Sequence, residues 1–191
     1  MDLVSRSLRK YGQLQYMTIL TLIIQVISYS LHIIAHFCPS QQKVRDFWFT
    51  TLAFPTSYLV CVSFWTIWHT MGRELVFPTK FDALFPSWLN HVLHTNLVPI
   101  NLILSTLIHH QYSKKGYRVS LTAYVVYLIW IFHIRVQSGY WVYPFLQRSN
   151  SAIRMFSFIG GAGIIYLAYK FGQSLTRTIH SGLFAKRLAQ N

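Results

Sequence analysis

Apolar residues in this chain come in long unbroken runs, not in the alternation of a half-buried strand. A helix needs about 20 mostly apolar residues to cross the hydrocarbon of a bilayer. Five windows reach that length: residues 16–37, 47–69, 88–108, 119–136 and 152–171. The connections are short, and no repeat, low-complexity tract or linker divides the chain. The expected fold is therefore all-α: one polytopic transmembrane bundle over residues 1–191, with about five spanning helices. A polar segment, 1–15, precedes the first window, and a mixed tail, 173–191, follows the last. Pro55 and Pro99 fall inside the second and third windows, where neighbouring groups must satisfy the carbonyls they free.

Two further stretches, 75–85 and 139–146, are apolar and aromatic but too short to span. Trp and Tyr favour the headgroup level, so both are expected to lie at the interface or fold back into the bundle. An amphipathic surface helix is expected around 183–188.

The polar residues inside these windows carry the chemical information, because they are costly in lipid and normally face the bundle interior. In the first window Thr18, Thr21, Gln25, Ser28 and His32 follow one another at steps of 3, 4, 3 and 4, which places them on one helical face. Single groups of this kind often serve as glue between helices. A stripe of five is more than one interhelical bond needs. In the third window Asn90, His94 and Asn101 share a face, and His91 and Thr95 form an adjoining pair. Pro99 has no N–H for the carbonyl of Thr95, which raises backbone polarity near His94. If the second helix returns between them, the first and third run parallel, and Thr18 and His94 fall at similar depth.

An imidazole can take a proton from an alcohol and return it to a leaving group, with an Asn orienting the ring where a carboxylate is missing. Thr18, Thr21, Thr51, Thr95 and Ser105 are all candidate nucleophiles. Asp2, Asp46, Glu74 and Asp82 lie outside the apolar windows or at their edges, so a buried Ser-His-Asp triad is not expected. No carboxylate or cysteine joins His91 and His94, so neither a metal nor another cofactor is expected. His109 and His110 close the third window and are expected to meet lipid headgroups. Arg135, late in the fourth, is expected to snorkel.

Composition sharpens the setting. The chain is 53% hydrophobic and only 11% charged, yet 17 Lys and Arg face 4 carboxylates, a net charge of +13. Nucleic-acid binding proteins cluster such charge on one face. Here the cations sit between apolar runs and suit anionic lipid headgroups, so lipids, not nucleic acid, are the expected partners. With a cytoplasmic N-terminus the two sides of a five-helix chain would hold 8 and 9 Lys and Arg, a split that assigns no orientation. Cys38 and Cys61 suggest no disulfide framework. The polar start and full-length first window do not fit a cleaved signal. An integral protein of the endoplasmic reticulum or plasma membrane is the expected setting.

Several short stretches together resemble the family of androgen-induced protein 1 and the androgen-dependent regulator of tissue factor pathway inhibitor. They are Leu52 to Pro55 (LAFP), Phe77 to Thr95 (FPTKFDALFPSWLNHVLHT), His109 to Tyr112 (HHQY) and Trp141 to Leu146 (WVYPFL), in an order that covers most of residues 16–147. The resemblance implies a multi-pass membrane hydrolase of fatty acid esters of hydroxy fatty acids, using a threonine nucleophile and a histidine base. By position the threonine is Thr18, seven residues before Gln25, and the histidine is His94, the second of the WLNHxxHT pattern. With these roles given, Asn90, Asn101 and Gln25 are the expected orienting or oxyanion groups, and His91, Trp141 and Tyr143 the expected pocket residues. Relatives often carry a further apolar segment before the threonine helix, and look more histidine-rich around Arg135. Two other readings stand beside this one. The first is a non-catalytic lipid-binding or regulatory protein on the same scaffold. The second is a haem protein with His94 and His133 as axial ligands.

Overall fold

The computed structural model describes residues 11–77, 79 and 86–189, the last eight as backbone alone. Four helical segments are long and apolar enough to cross a membrane. Helix α1 spans Met17–Phe37. The second segment is one helical run from Pro39 to Met71, composed of α2 (Gln42–Trp48), a π-helical turn (Phe49–Ala53) and α3 (Phe54–Met71). The other two are α6 (Tyr117–Ser138) and α8, which is named after the shorter helices before it and covers Ser151–Ala189. Among the described residues there is no strand.

The expected third span takes a different form. It is divided into α4 (Ser87–His94) and α5 (Leu97–Leu107). Pro99 gives the reason, since it cannot donate to the Thr95 carbonyl one turn back. The N–H groups of Thr95 and Asn96 both turn to the His91 carbonyl, at 2.8 and 2.9 Å, and the helix stops there. Pro55 acts in the same way on the second span. It removes the donor for the Thr51 carbonyl, and the chain passes through the wider π-helical turn directly before it.

The second span is the most buried of the four, and the others are laid around it. Helix α3 packs along α8, which also packs along α6, while α1 lies against α2, the π-helical turn and α3. Phe49, Ala53 and Phe54 have no exposed surface at the turn. Apolar side chains such as Val26, Ile33, Val126, Ile129, Phe156 and Leu167 point outward on the spanning helices. A soluble protein would not leave that much apolar surface in water. The chain is an integral membrane protein.

The short stretch 139–146 folds back. Gly139 ends α6 with φ +79°, a conformation that disfavours side chains, and turns the chain inward. Trp141, Val142, Phe145 and Leu146 then join Tyr127, Ile131 and Ile134 in one buried cluster. The five-residue helix α7 (Pro144–Arg148) completes the return. Most of the stretch 75–85, and the side chains of 183–188, lie outside the described residues.

Candidate active site

The first turn of α1 is pinned from two sides. Tyr143, on the returning segment, accepts the Met17 N–H at 2.9 Å. Its hydroxyl is 2.6 Å from that of Tyr127 on α6, and Tyr127 donates to the Gln15 carbonyl at 3.2 Å. Because the Tyr127 hydrogen goes to Gln15, Tyr143 donates to Tyr127. Desolvation pushes the Tyr143 phenol up, so it holds its proton. Thr18 is thus held one residue beyond a closed hydrogen-bond chain. Tyr143→Phe removes the acceptor for Met17 and is expected to destabilise the protein by about 1–3 kcal/mol. An unchanged thermal midpoint in detergent would contradict this.

His94 closes α4 beside that turn. Its Nε2 is 3.3 Å from the Thr18 hydroxyl. Its Nδ1 lies 2.8 Å from Asn90 Oδ1 and 3.1 Å from the Asn90 carbonyl. A carbonyl only accepts, so Nδ1 carries the hydrogen whichever way the Asn90 amide is turned. The neutral ring therefore offers a bare Nε2 to Thr18, the tautomer that a general base needs. Phe64 of α3 lies flat on the imidazole, with centroids 3.8 Å apart and planes 14° from parallel. The ring has little freedom to turn away.

Thr18 and His94 line a cavity of about 440 Å³. Its walls are mostly apolar, from Leu59 and Val60 on α3, Leu128 and Ile131 on α6, and Phe156 and Ile164 on α8. Phe156 is 74% exposed, so the cavity reaches the lipid-facing surface. Gly161 of α8 also lines it, and a Cβ there would run into the Tyr124 hydroxyl.

Of the expected pocket residues, only Tyr143 lines this cavity. His91 is exposed, stacked on Trp65 with its Nδ1 3.2 Å from the Thr95 hydroxyl, and lines a separate cavity of about 400 Å³ with Trp68 and Arg73. Trp141 is buried elsewhere, packed on Phe132 and Phe158 with the guanidinium groups of Arg135 and Arg154 over its ring. Gln25 and Asn101 converge on the Ala53 carbonyl, at 2.7 and 3.5 Å. Seven residues along α1 is about 10 Å, so Gln25 does not reach a group bound at Thr18.

The other candidate nucleophiles, Thr21, Thr51, Thr95 and Ser105, do not line the cavity. Thr51 donates to the Phe47 carbonyl, Ser105 to that of Asn101, and the Thr95 hydroxyl receives the Trp65 indole N–H. His133 is exposed beside Trp130 and does not face His94. Among the described residues no group of three or more His, Cys, Asp or Glu is placed to hold a metal.

One expectation is corrected. His110 does not meet headgroups. It is 1% exposed, stacked on Phe49 and 2.9 Å from the carboxylate of Asp46, itself bound by Arg45. Hydropathy left Asp46 at a window edge and His110 just beyond one. Only the fold shows that two edge residues are partners. Tyr124 and Tyr127, which no motif singles out, also line the cavity, and their spacing of 3 with Ile131 and Ile134 beyond traces the buried face of α6.

The chain matches the family model described as FAR-17a/AIG1-like protein over residues 3–177. It is 32% identical to the androgen-dependent TFPI-regulating protein of Mus musculus over 179 residues, 86% of this chain and 76% of that protein. With the androgen-induced gene 1 protein of Homo sapiens it shares 33% over 139 residues, 72% of this chain and 58% of that protein. No solved structure matches it.

Proposed function

The chain belongs to the FAR-17a/AIG1-like protein family, and from that premise we propose that it is an intramembrane lipid ester hydrolase of the endoplasmic reticulum or plasma membrane. Its substrates are fatty acid esters of hydroxy fatty acids, the class that the sequence resemblance implies. His94 takes the Thr18 proton, and the Thr18 oxygen attacks the ester carbonyl to give an acyl-threonine. The proton passes from His94 to the departing hydroxy lipid. His94 then activates water, which releases the acid and restores Thr18. In the first turn of α1 the Thr18 N–H has no acceptor one turn back in the helix, which makes it the proposed donor to the charge that develops on the carbonyl oxygen.

The observation that carries this reading is the Thr18–His94 contact at 3.3 Å, with His94 held in the basic tautomer by Asn90. A pair looser than an ideal hydrogen bond is usual before substrate binds. The apolar cavity supports the substrate class, since an acyl chain can enter from the bilayer past Phe156 without crossing water. The cavity alone would also suit a non-catalytic lipid carrier, and turnover separates the two readings.

The test is hydrolysis of a fatty acid ester of a hydroxy fatty acid by purified protein, beside Thr18→Ser. The wild type is expected to release both products. The serine variant is expected to retain part of the rate because it keeps the hydroxyl. Lipid occupancy without turnover would favour the carrier.

A further inference from the structure

Ester hydrolysis uses one water and leaves one proton when the product is a carboxylate: RCOOR′ + H₂O gives RCOO⁻, R′OH and H⁺. Water and proton must both cross an apolar bundle. The cavity walls offer them little, but the face of α1 that bears Thr18 continues away from the cavity through Thr21, Gln25 and Ser28 to His32. Thr21, Gln25 and Ser28 are 0–1% exposed, and among the described residues the Thr21 hydroxyl, Gln25 Oε1 and the Ser28 hydroxyl have no partner. Buried polar atoms are rarely left unsatisfied, and those without protein partners are where internal waters bind. At helical rise, steps of three and four residues are about 4.5–6 Å, a separation that one water bridges.

The far end of this face meets a place for the proton. His32 Nδ1 is 2.7 Å from the Ser28 carbonyl, and His110 Nδ1 is 2.9 Å from the Asp46 carboxylate. Both partners are acceptors, so both Nδ1 atoms carry hydrogen. In the neutral rings the two Nε2 atoms are then bare, and they lie 3.5 Å apart. One proton between them satisfies both. Burial is the largest influence on His110 and opposes the cation, as do the neighbouring Arg45 and His109, while the hydrogen bond and charge of the Asp46 carboxylate favour it.

We infer that the polar face of α1 is a hydrated path: it brings water to Thr18 and carries the released proton through Thr21, Gln25 and Ser28 to the His32–His110 pair. The inference rests on the hydrolase reading. In deacylation, water's O–H bond breaks as its oxygen bonds the acyl carbon. The acyl–Thr18 bond breaks, Thr18 regains a proton through His94, and the acid's own proton leaves along the path.

Acylation of Thr18 needs no water, but deacylation does. Stopped-flow hydrolysis of a p-nitrophenyl fatty ester in nanodiscs, with intact-mass detection of the acyl protein, separates the two steps. Thr21→Val/Ser28→Ala is expected to acylate within about twofold of wild type, since neither hydroxyl is hydrogen-bonded to the dyad. Its steady turnover falls at least tenfold, and acyl protein accumulates. His32→Asn keeps a polar side chain that cannot hold the proton, and shows the same slowed turnover. Thr21→Ser/Ser28→Thr keeps both hydroxyls and runs as wild type. The inference is overturned if the apolar double variant turns over normally, if it loses acylation and turnover alike, or if the hydroxyl-keeping variant is equally slow. Normal turnover by His32→Asn would also overturn it. A wild type that neither acylates nor turns over removes the hydrolase reading itself, and this inference with it.

Discussion

Thr18→Ala and His94→Ala are each expected to lower turnover of a lipid ester by about 10³-fold or more, with the helical fold unchanged. The reason is mutual dependence. Without His94 Nε2 the Thr18 hydroxyl is a weak nucleophile, and without the hydroxyl the imidazole has nothing to activate. The double variant should therefore be no slower than the worse single one, as with groups that act as a unit. Rates for purified proteins with matched circular dichroism check this. Losses that multiply in the double variant would mean that the two side chains act separately.

The second large effect is expected at Asn90. It contributes two acceptors to His94 Nδ1, its side-chain oxygen at 2.8 Å and its own carbonyl at 3.1 Å. In the Ser-His-Asp template, spoiling the tautomer costs about 10⁴-fold in kcat. Here Asn90→Leu leaves the carbonyl in place, so the tautomer survives and mainly the orientation loosens. A loss on the order of 10²-fold follows, smaller than the template value because one of the two acceptors remains. It should fall on kcat with KM little changed, because Asn90 does not line the acyl cavity. Steady-state kinetics with a long-chain ester decide the matter. A wild-type kcat would show that the carbonyl alone positions the ring, and a loss confined to KM would place Asn90 against substrate.

Which features the sequence made legible follows from what each depends on. The spanning helices were readable because lipid enforces a length and an apolarity on each segment independently. The stripe on α1 was readable because helical periodicity is local, and Thr18, Thr21, Gln25, Ser28 and His32 share one face whatever surrounds them. The nearness of Thr18 and His94, 3.3 Å apart, was also within reach of the sequence, since it needs only the direction of two helices. The break at Thr95–Asn96 was half visible: Pro99 announced a strained carbonyl, but whether a helix kinks or stops depends on what else can take its hydrogen bonds.

Long-range pairings were not legible. Nothing in local pattern says that Tyr143 reaches back to the Met17 N–H, or that Gln25 and Asn101 spend their polarity on Ala53. The Ala53 carbonyl lies at the end of the π-helical turn before the unit that Pro55 interrupts, a local accident with a distant consequence. Trp141 and His91 were reasonable pocket residues by type. The fold sends the first into a cage of arginines and phenylalanines and the second to the outer side of α4.

The most direct test of the account is the site of acylation. Wild-type protein mixed with a long-chain ester and acid-quenched within its first turnover should carry one acyl group. Peptide mass mapping should place that group on Thr18, within the segment that begins α1. His94→Ala, treated in the same way, should carry almost none. Turnover with no acyl protein, or an acyl group found on any residue other than Thr18, would contradict the threonine mechanism.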